Sequence, residues 1–170
     1  GRGNSEGRFA RQGRTKADGR VMDIRDFLDP GDVAVGLRLP DKRRVLEEIA
    51  RRAAAVLGLD QASILETLLA REALGSTGIG EGTAIPHARL AGIGKPFGLL
   101  VRLKQPVGFD AIDAQPVDLV FLLLLPAAAH GEQLTALARV ARRFRDPGVL
   151  NRLRRARDAQ ALYCALTGPE

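Results

Sequence analysis

"PVDLVFLLLLP", residues 116–126, carries seven consecutive apolar residues, Leu119 to Leu125, with Pro116 and Pro126 at its ends. Successive side chains of a strand point to opposite faces of its sheet. A strand apolar at every position must therefore be covered on both faces, which places this one in the middle of its sheet. The run is far short of the ~20 residues that a membrane-spanning helix needs. The rest of the chain must supply two layers of cover.

Working outward, "FGLLVRLKQPV" (97–107) and "TAIPHARL" (83–90) read as further strands, and "VAVGLRLP" (33–40) as the first, closed by Pro40. Before it, "MDIRDFLDPGDV" (22–33) predicts a short helical turn stopped by Pro30 and Gly31. Asp41 caps a helix through Leu57, with Val45, Ile49, Ala53, Val56 and Leu57 on one face and Gly58 ending it. Asp60 caps a second, whose apolar stripe is Ile64, Leu65, Leu68 and Leu69. "EQLTALARVARRF" (132–144) is a third, with Leu134, Leu137, Val140, Ala141 and Phe144 turned inward. Asp146 and Pro147 open a fourth through Arg157. Asp158 caps a last helix that buries Ala161, Leu162, Ala165 and Leu166, with Cys164 as a small core residue on the same face. The predicted fold class is α/β, a small sheet sandwiched by helices.

The chain of 170 residues is one domain's worth, and its net charge of +6 is unevenly spread. Residues 1–21 hold six Lys/Arg against two acids, the remaining 149 residues 20 against 18. Residues 1–21 are accordingly expected to be a disordered basic extension, with the working domain spanning 22–170 and beginning near Met22. A single cysteine excludes an internal disulfide framework. Two histidines and one cysteine are too few for a zinc site, so neither metal nor cofactor is expected. No apolar segment follows the basic N-terminus, which makes a cytoplasmic protein the default. "RRFR" (142–145) and "RLRRAR" (152–157) lie on amphipathic helices and read as solvated faces that could attract an acidic protein. Binding to nucleic acid and insertion into a membrane are not expected, and a homo-oligomer is left open.

Chemistry concentrates in "GSTGIGEGTAIPHARL" (75–90), where Gly75, Gly78, Gly80 and Gly82 precede one of the two histidines, His87. Such glycines let the backbone bend tightly or approach a ligand, and successive N–H groups there can cradle an anion. The nucleotide fingerprints G-x-x-x-x-G-K-[ST] and G-x-G-x-x-G are both absent. An anion-holding loop beside one imidazole suggests a phosphoryl group carried on His87, with Ser76, Thr77, Arg71 and Arg89 at hand to meet its charge. The plain alternative is a turn followed by a structural histidine.

"LLAREALGSTGIGEGTAIPHARL" (68–90) resembles the active-site signature of fructose/mannitol-type enzyme IIA proteins of the bacterial phosphotransferase system, and most closely the nitrogen-regulatory branch. "FDAIDAQPVDLVFLLLLP" (109–126) resembles the family's second block, and the likeness runs from about Asp23 to Leu166. The resemblance implies a mixed-sheet IIA fold. It implies His87 as acceptor of a phosphoryl group from an HPr- or NPr-like carrier in a phosphoenolpyruvate-dependent relay. It also implies Arg71 near the phosphohistidine, supported by Ser76, Thr77 and Gly78, and regulatory targets such as transporters and sensor kinases. Where the family often has a second histidine this chain has Gln133, while His130 lies three residues earlier. Thr83 replaces the usual aliphatic residue of the first block. Two other functions stay open: a IIA component of sugar uptake that passes phosphate to a IIB domain, and a non-catalytic regulatory binding module.

Overall fold

The computed structural model describes residues 22–128 and 131–169. The basic extension expected at 1–21 lies outside them, as does His130. A 3-10 turn, Ile24–Asp26, is closed by a capping box between Asp23 and Asp26. It leads into β1 (Leu28–Leu37), α1 (Lys42–Leu57) and α2 (Gln61–Ala73). Then come β2 (Gly78–Gly80), β3 (Thr83–Ala84), β4 (His87–Leu90), β5 (Phe97–Val107) and β6 (Val117–Pro126). Three helices finish the chain: α3 (Gly131–Arg145), α4 (Pro147–Arg155) and α5 (Ala159–Thr167). No helix among the described residues is long and apolar enough to cross a membrane.

The strands form one mixed sheet in the order β1-β5-β6-β3-β2, with β4 also paired to β6. β6 is central, antiparallel to β5 on one side and parallel to β3 and β4 on the other. Its residues Leu119 to Leu124 are all fully buried. Val120, Leu122 and Leu124 meet Val45, Ile49, Ile64 and Leu68 of α1 and α2. Leu119, Phe121, Leu123 and Leu125 meet Val140, Phe144, Leu153, Leu162 and Leu166 of α3, α4 and α5. The doubly apolar strand is thus covered by two helices on one face and three on the other. The predicted caps hold as well. Asp41, Asp60 and Asp158 each accept from a backbone N–H three residues on, and Gly58 ends α1 in the left-handed conformation.

Several expectations are corrected. β1 begins at Leu28, running through Pro30 and Gly31 rather than after them. As an edge strand it tolerates a proline, and its register with β5 slips between Leu28 and Val33 to absorb it. "TAIPHARL" is two strands, because Pro86 has no N–H for the ladder and the Ile85 N–H bonds instead to the Thr77 carbonyl. The glycine segment 78–80, expected as loop, is itself a strand. Leu134, expected inward, is 74% exposed: the buried face of α3 is Ala136, Val140 and Phe144, four residues apart, and two residues of offset puts Leu134 opposite. Cys164 is exposed for the same reason, two positions from the buried Leu162 and Leu166. α4 stops at Arg155, where Ala156 turns extended. The stripe 142–145 is not wholly solvated, since Arg143 is 7% exposed. Its Nε donates to the Leu166 carbonyl at 2.9 Å and its Nη2 to those of Ala165 and Gly168, so it caps the C-terminus of α5.

Gly98 marks the tightest packing between β5 and β6. A Cβ there would lie 2.6 Å from Cζ of Phe121, a ring that is itself fully buried against Phe27. Gly98→Ala is expected to cost about 1–3 kcal/mol, lowering the melting temperature by roughly 2–12 °C. A melting curve unchanged by the substitution would contradict this packing.

Candidate functional site

α2 ends in the sequence Arg71–Glu72–Ala73, and the chain then turns through Leu74 and Gly75 into the glycine hairpin. Arg71 Nη1 donates to the Gly75 carbonyl at 2.8 Å, tying the guanidinium to the start of the hairpin. Ser76 Oγ donates to the Phe109 carbonyl at 2.5 Å and accepts from the Gly78 N–H at 3.0 Å. Thr77 gives both its N–H and its hydroxyl to the Glu72 carboxylate. β2 and β3 are joined by Glu81 and Gly82, both left-handed, with φ of 57° and 75°. Thr83, where an aliphatic residue was expected, is fully buried, and its hydroxyl donates to the Gly80 carbonyl at 2.7 Å. That bond supplies what a buried hydroxyl needs and an aliphatic residue would not.

At Gly78 the glycine meets a packing requirement. A Cβ on Gly78 would lie 2.7 Å from Cβ and 2.9 Å from Cα of Ala111, so only glycine admits the 108–116 connection at that distance. The N–H groups of Thr77, Gly78 and Glu81 are taken by Glu72, Ser76 and Asp113. These three N–H groups, part of the loop expected to cradle an anion, thus have partners within the protein.

His87 opens β4 and is half-buried, lying in parallel register with Leu123 of β6. The preceding Pro86 is buried, and its carbonyl accepts the Leu123 N–H at 2.9 Å, so the backbone is held on both sides of the imidazole. His87 Nδ1 lies 2.8 Å from the Ile85 carbonyl oxygen. A carbonyl only accepts, so in this contact the proton sits on Nδ1 and the neutral ring keeps its lone pair on Nε2.

Of the residues singled out in the sequence, the structure ties Arg71 of α2 to the start of the segment that holds Ser76, Thr77 and Gly78, and joins that segment to His87 through Ile85. Arg89 is exposed, and two residues along β4 it shares the strand face of His87. Gln133 lies on α3, with its side chain outside the described residues, like the whole of His130. The sequence reading missed Lys42, Glu72 and Asp113. Glu72 did carry a signal: an acid in the last turn of a helix opposes the helix dipole, so it needs a partner elsewhere.

The comparisons with known proteins agree with this architecture. The family model described as "Phosphoenolpyruvate-dependent sugar phosphotransferase system, EIIA 2" matches residues 26–168. A nitrogen regulatory protein from Bradyrhizobium diazoefficiens is 45% identical over 148 residues, spanning 87% of this chain and 97% of that protein. One from Pseudomonas aeruginosa is 46% identical over 144 residues, spanning 84% and 94%. Among solved structures, nitrogen regulatory protein IIA-Ntr from Neisseria meningitidis superposes with a TM-score of 0.81 at 38% identity, covering 85% of this chain and 99% of that one. IIA mannitol from Escherichia coli, with a TM-score of 0.66 at 18% identity over 81% of this chain and 97% of that one, shares the fold.

The turn of the hairpin makes a pH-dependent contact that can be followed directly. Backbone N–H bonds, from Glu81 first and Gln115 second, hold the Asp113 carboxyl below the usual carboxylate range. A lowered folded value stabilises the fold above the unfolded carboxylate pKa, about 3.9, and that contribution is lost as pH falls through the folded value. Carboxyl NMR titration should place Asp113 below the usual carboxylate range. Over the same window the Glu81 amide should lose protection from hydrogen exchange, and Asp113→Ala should remove that protection at every pH. An ordinary titration of Asp113 would refute the contact.

Proposed function

The chain belongs to the EIIA 2 family of the phosphoenolpyruvate-dependent phosphotransferase system, and from that premise we propose that it is a regulatory phosphoryl acceptor whose His87 takes the group on Nε2. The observation that carries the proposal is the contact between Nδ1 and the Ile85 carbonyl, which leaves Nε2 as the nucleophile. The Nε2 lone pair attacks the phosphorus carried on the histidine of an HPr- or NPr-like donor. A new N–P bond forms as the donor's N–P bond breaks, and the donor nitrogen leaves with its electron pair. His87 gains positive character during the transfer, and the Ile85 carbonyl dipole, aimed at Nδ1–H, offsets it. Phosphoryl transfer needs little more than this positioning and a counter-charge for the spread oxygens.

Within the proposal the residues divide by what they already hold. Ser76 and Thr77 spend their hydroxyl protons on Phe109 and Glu72, so they shape the hairpin rather than solvate the phosphoryl group. Gly78 admits the neighbouring connection. Arg71 and Arg89 are the cations assigned to the phosphoryl oxygens, with Gln133 and His130 as hydrogen-bonding candidates from the α3 side. The working domain is assigned to residues 22–170 in the cytoplasm, with 1–21 as a basic extension. No cofactor is assigned.

The regulatory reading rests on the nitrogen regulatory proteins among the relatives, which align over nearly their whole length. A phosphoryl group adds roughly −1.5 to −2 charges at the site, enough to switch an interface with a transporter or sensor kinase by electrostatics alone. A fructose-specific EIIABC component from Bacillus subtilis is 34% identical over 127 residues, which keeps phosphate passage to a IIB domain as the second reading.

The deciding experiment is intact-mass spectrometry after incubation with phosphoenolpyruvate, enzyme I and NPr. Wild type should gain one acid-labile phosphoryl group and His87→Ala none. A folded wild type that gains nothing would overturn the proposal in favour of a non-catalytic binding module. Loss of the label on adding a IIB domain would favour sugar uptake.

A further inference from the structure

Glu72 is the most deeply buried carboxylate near the hairpin, and the function proposed above gives it no task. Its side chain is 6% exposed and lies 2.8 Å from Nζ of Lys42, at the start of α1. Lys42 is itself seated 4.8 Å from the centroid of the Phe109 ring, with Asp110 Oδ2 at 3.8 Å. Burying a carboxylate is costly unless it is paired and hydrogen-bonded, and Glu72 meets both conditions. Its Oε2 takes Lys42 and the Thr77 N–H at 3.2 Å, and its Oε1 takes the Thr77 hydroxyl. Thr77, 3% exposed, thus sends both of its hydrogen-bond donors to this one side chain.

The contacts continue toward the imidazole. The Thr77 carbonyl accepts the Ile85 N–H at 3.0 Å, and the Ile85 carbonyl accepts from His87 Nδ1 at 2.8 Å. Because Pro86 follows, the peptide that contains the Ile85 carbonyl has no N–H of its own to fix its orientation. Its setting depends on the buried Ile85 side chain, on the Pro86 carbonyl bonded to Leu123, and on the bond from Ile85 to Thr77. The last of these joins that peptide to the helices of the opposite layer. We propose that Glu72, seated on Lys42, is a positioning residue for His87: through Thr77 and Ile85 it fixes the carbonyl that keeps the imidazole proton on Nδ1. The effect is geometric, since successive peptide units carry it. Its consequence for reactivity rests on the phosphoryl-acceptor reading, whereas its consequence for the tautomer does not.

Two readouts on the full chain separate these consequences. The first is the pair of ¹⁵N shifts of the His87 ring above its titration, which reports which nitrogen holds the proton. The second is the initial rate of phosphoryl uptake from phosphorylated NPr. Wild type should show Nδ1–H alone. Glu72→Gln and Thr77→Val should both move His87 toward the Nε2–H form that free histidine prefers. Uptake should slow on the order of tenfold or more, with the limiting rate falling rather than the affinity for the carrier. Thr77→Ser, which restores the hydroxyl, should recover both readouts. A general loosening of the fold would not be rescued by one hydroxyl.

If Glu72→Gln and Thr77→Val keep wild-type amide spectra, the Nδ1–H form and the wild-type rate, the proposal is wrong. Should Glu72→Gln not fold, Thr77→Val decides alone, because it leaves the Lys42–Glu72 pair in place. A wild type that accepts no phosphoryl group would sink the phosphoryl-acceptor reading, while the ring shifts would still decide whether Glu72 sets the tautomer.

Discussion

A strand buried on both faces has to be covered twice, and β6 imposes that requirement on everything around it. Its even-numbered residues from Val120 to Leu124 set the positions of α1 and α2, and its odd-numbered ones from Leu119 to Leu125 set those of α3, α4 and α5. Because the strand is apolar from Leu119 to Leu125, a shift of register by one residue would exchange two apolar faces over that run, so hydrophobicity alone pins it weakly there. Side-chain size and backbone pairing must do so instead. Phe121 lies against Gly98, where no other residue leaves room for the ring, and Phe27 meets the same ring edge-on at 6.0 Å between centroids. On the other side of β6, the Leu123 N–H bonds to the Pro86 carbonyl. The strand that organises the core is in this way the strand that places His87.

The site sits where the sheet stops being regular. Between β3 and β4, the residues Ile85 and Pro86 leave the ladder and direct their polar groups to Thr77, His87 and Leu123. Around this break the backbone is strained at residues other than glycine: Glu81, Asp110 and Ala114 all have φ between 54° and 60°. Left-handed conformations of that kind each cost on the order of 1–3 kcal/mol and persist only where neighbouring contacts enforce them. Here the enforcing contacts are visible. Asp113 takes the Glu81 N–H, Arg154 Nη2 donates to the Glu81 carbonyl at 2.5 Å, and Ser76 anchors the Phe109 carbonyl. The rigid part of the site is held by polar bonds between segments, and the apolar core provides the platform beneath.

That division explains what could be read in the sequence and what could not. β5, β6, α1 and α2 were legible because caps, periodicity and prolines act over a few residues, and Asp41, Asp60 and Gly58 do what their types suggest. His87 stood out because one imidazole beside a cluster of glycines is a local pattern. The break at Pro86 and the strand 78–80 were not legible, since each depends on a partner, Thr77 or Ala84, from the other arm of the hairpin. Val56, Leu134 and Cys164, all expected inward, face outward because apolarity does not by itself give orientation: the buried faces of their helices are set by Ile49 and Ala53, by Ala136 and Val140, and by Leu162 and Leu166. Arg143 looked like surface charge until the C-terminal carbonyls of α5 came within its reach. Lys42 and Asp113 lie 30 and 32 residues from their partners Glu72 and Glu81, a separation no short-range pattern records.

The filled state of the hairpin bears on how a charge at His87 would be seen from outside. A phosphate-binding loop ordinarily neutralises its ligand with its own N–H groups. In this hairpin the N–H groups of Thr77, Gly78 and Glu81 and the hydroxyls of Ser76 and Thr77 already have partners inside the protein. To turn any of them toward a phosphoryl group would break a bond to Glu72, Ser76, Phe109 or Asp113. The counter-charge assigned to the loop side is therefore that of Arg71, with one nitrogen on the Gly75 carbonyl, and of Arg89 in solvent. Two exposed or half-exposed guanidinium groups in water screen a dianion incompletely. On the proposed reading, most of the added charge then stays legible at the surface. A carrier built only to pass phosphate onward gains nothing from that display, whereas a protein whose partners must distinguish its two forms depends on it.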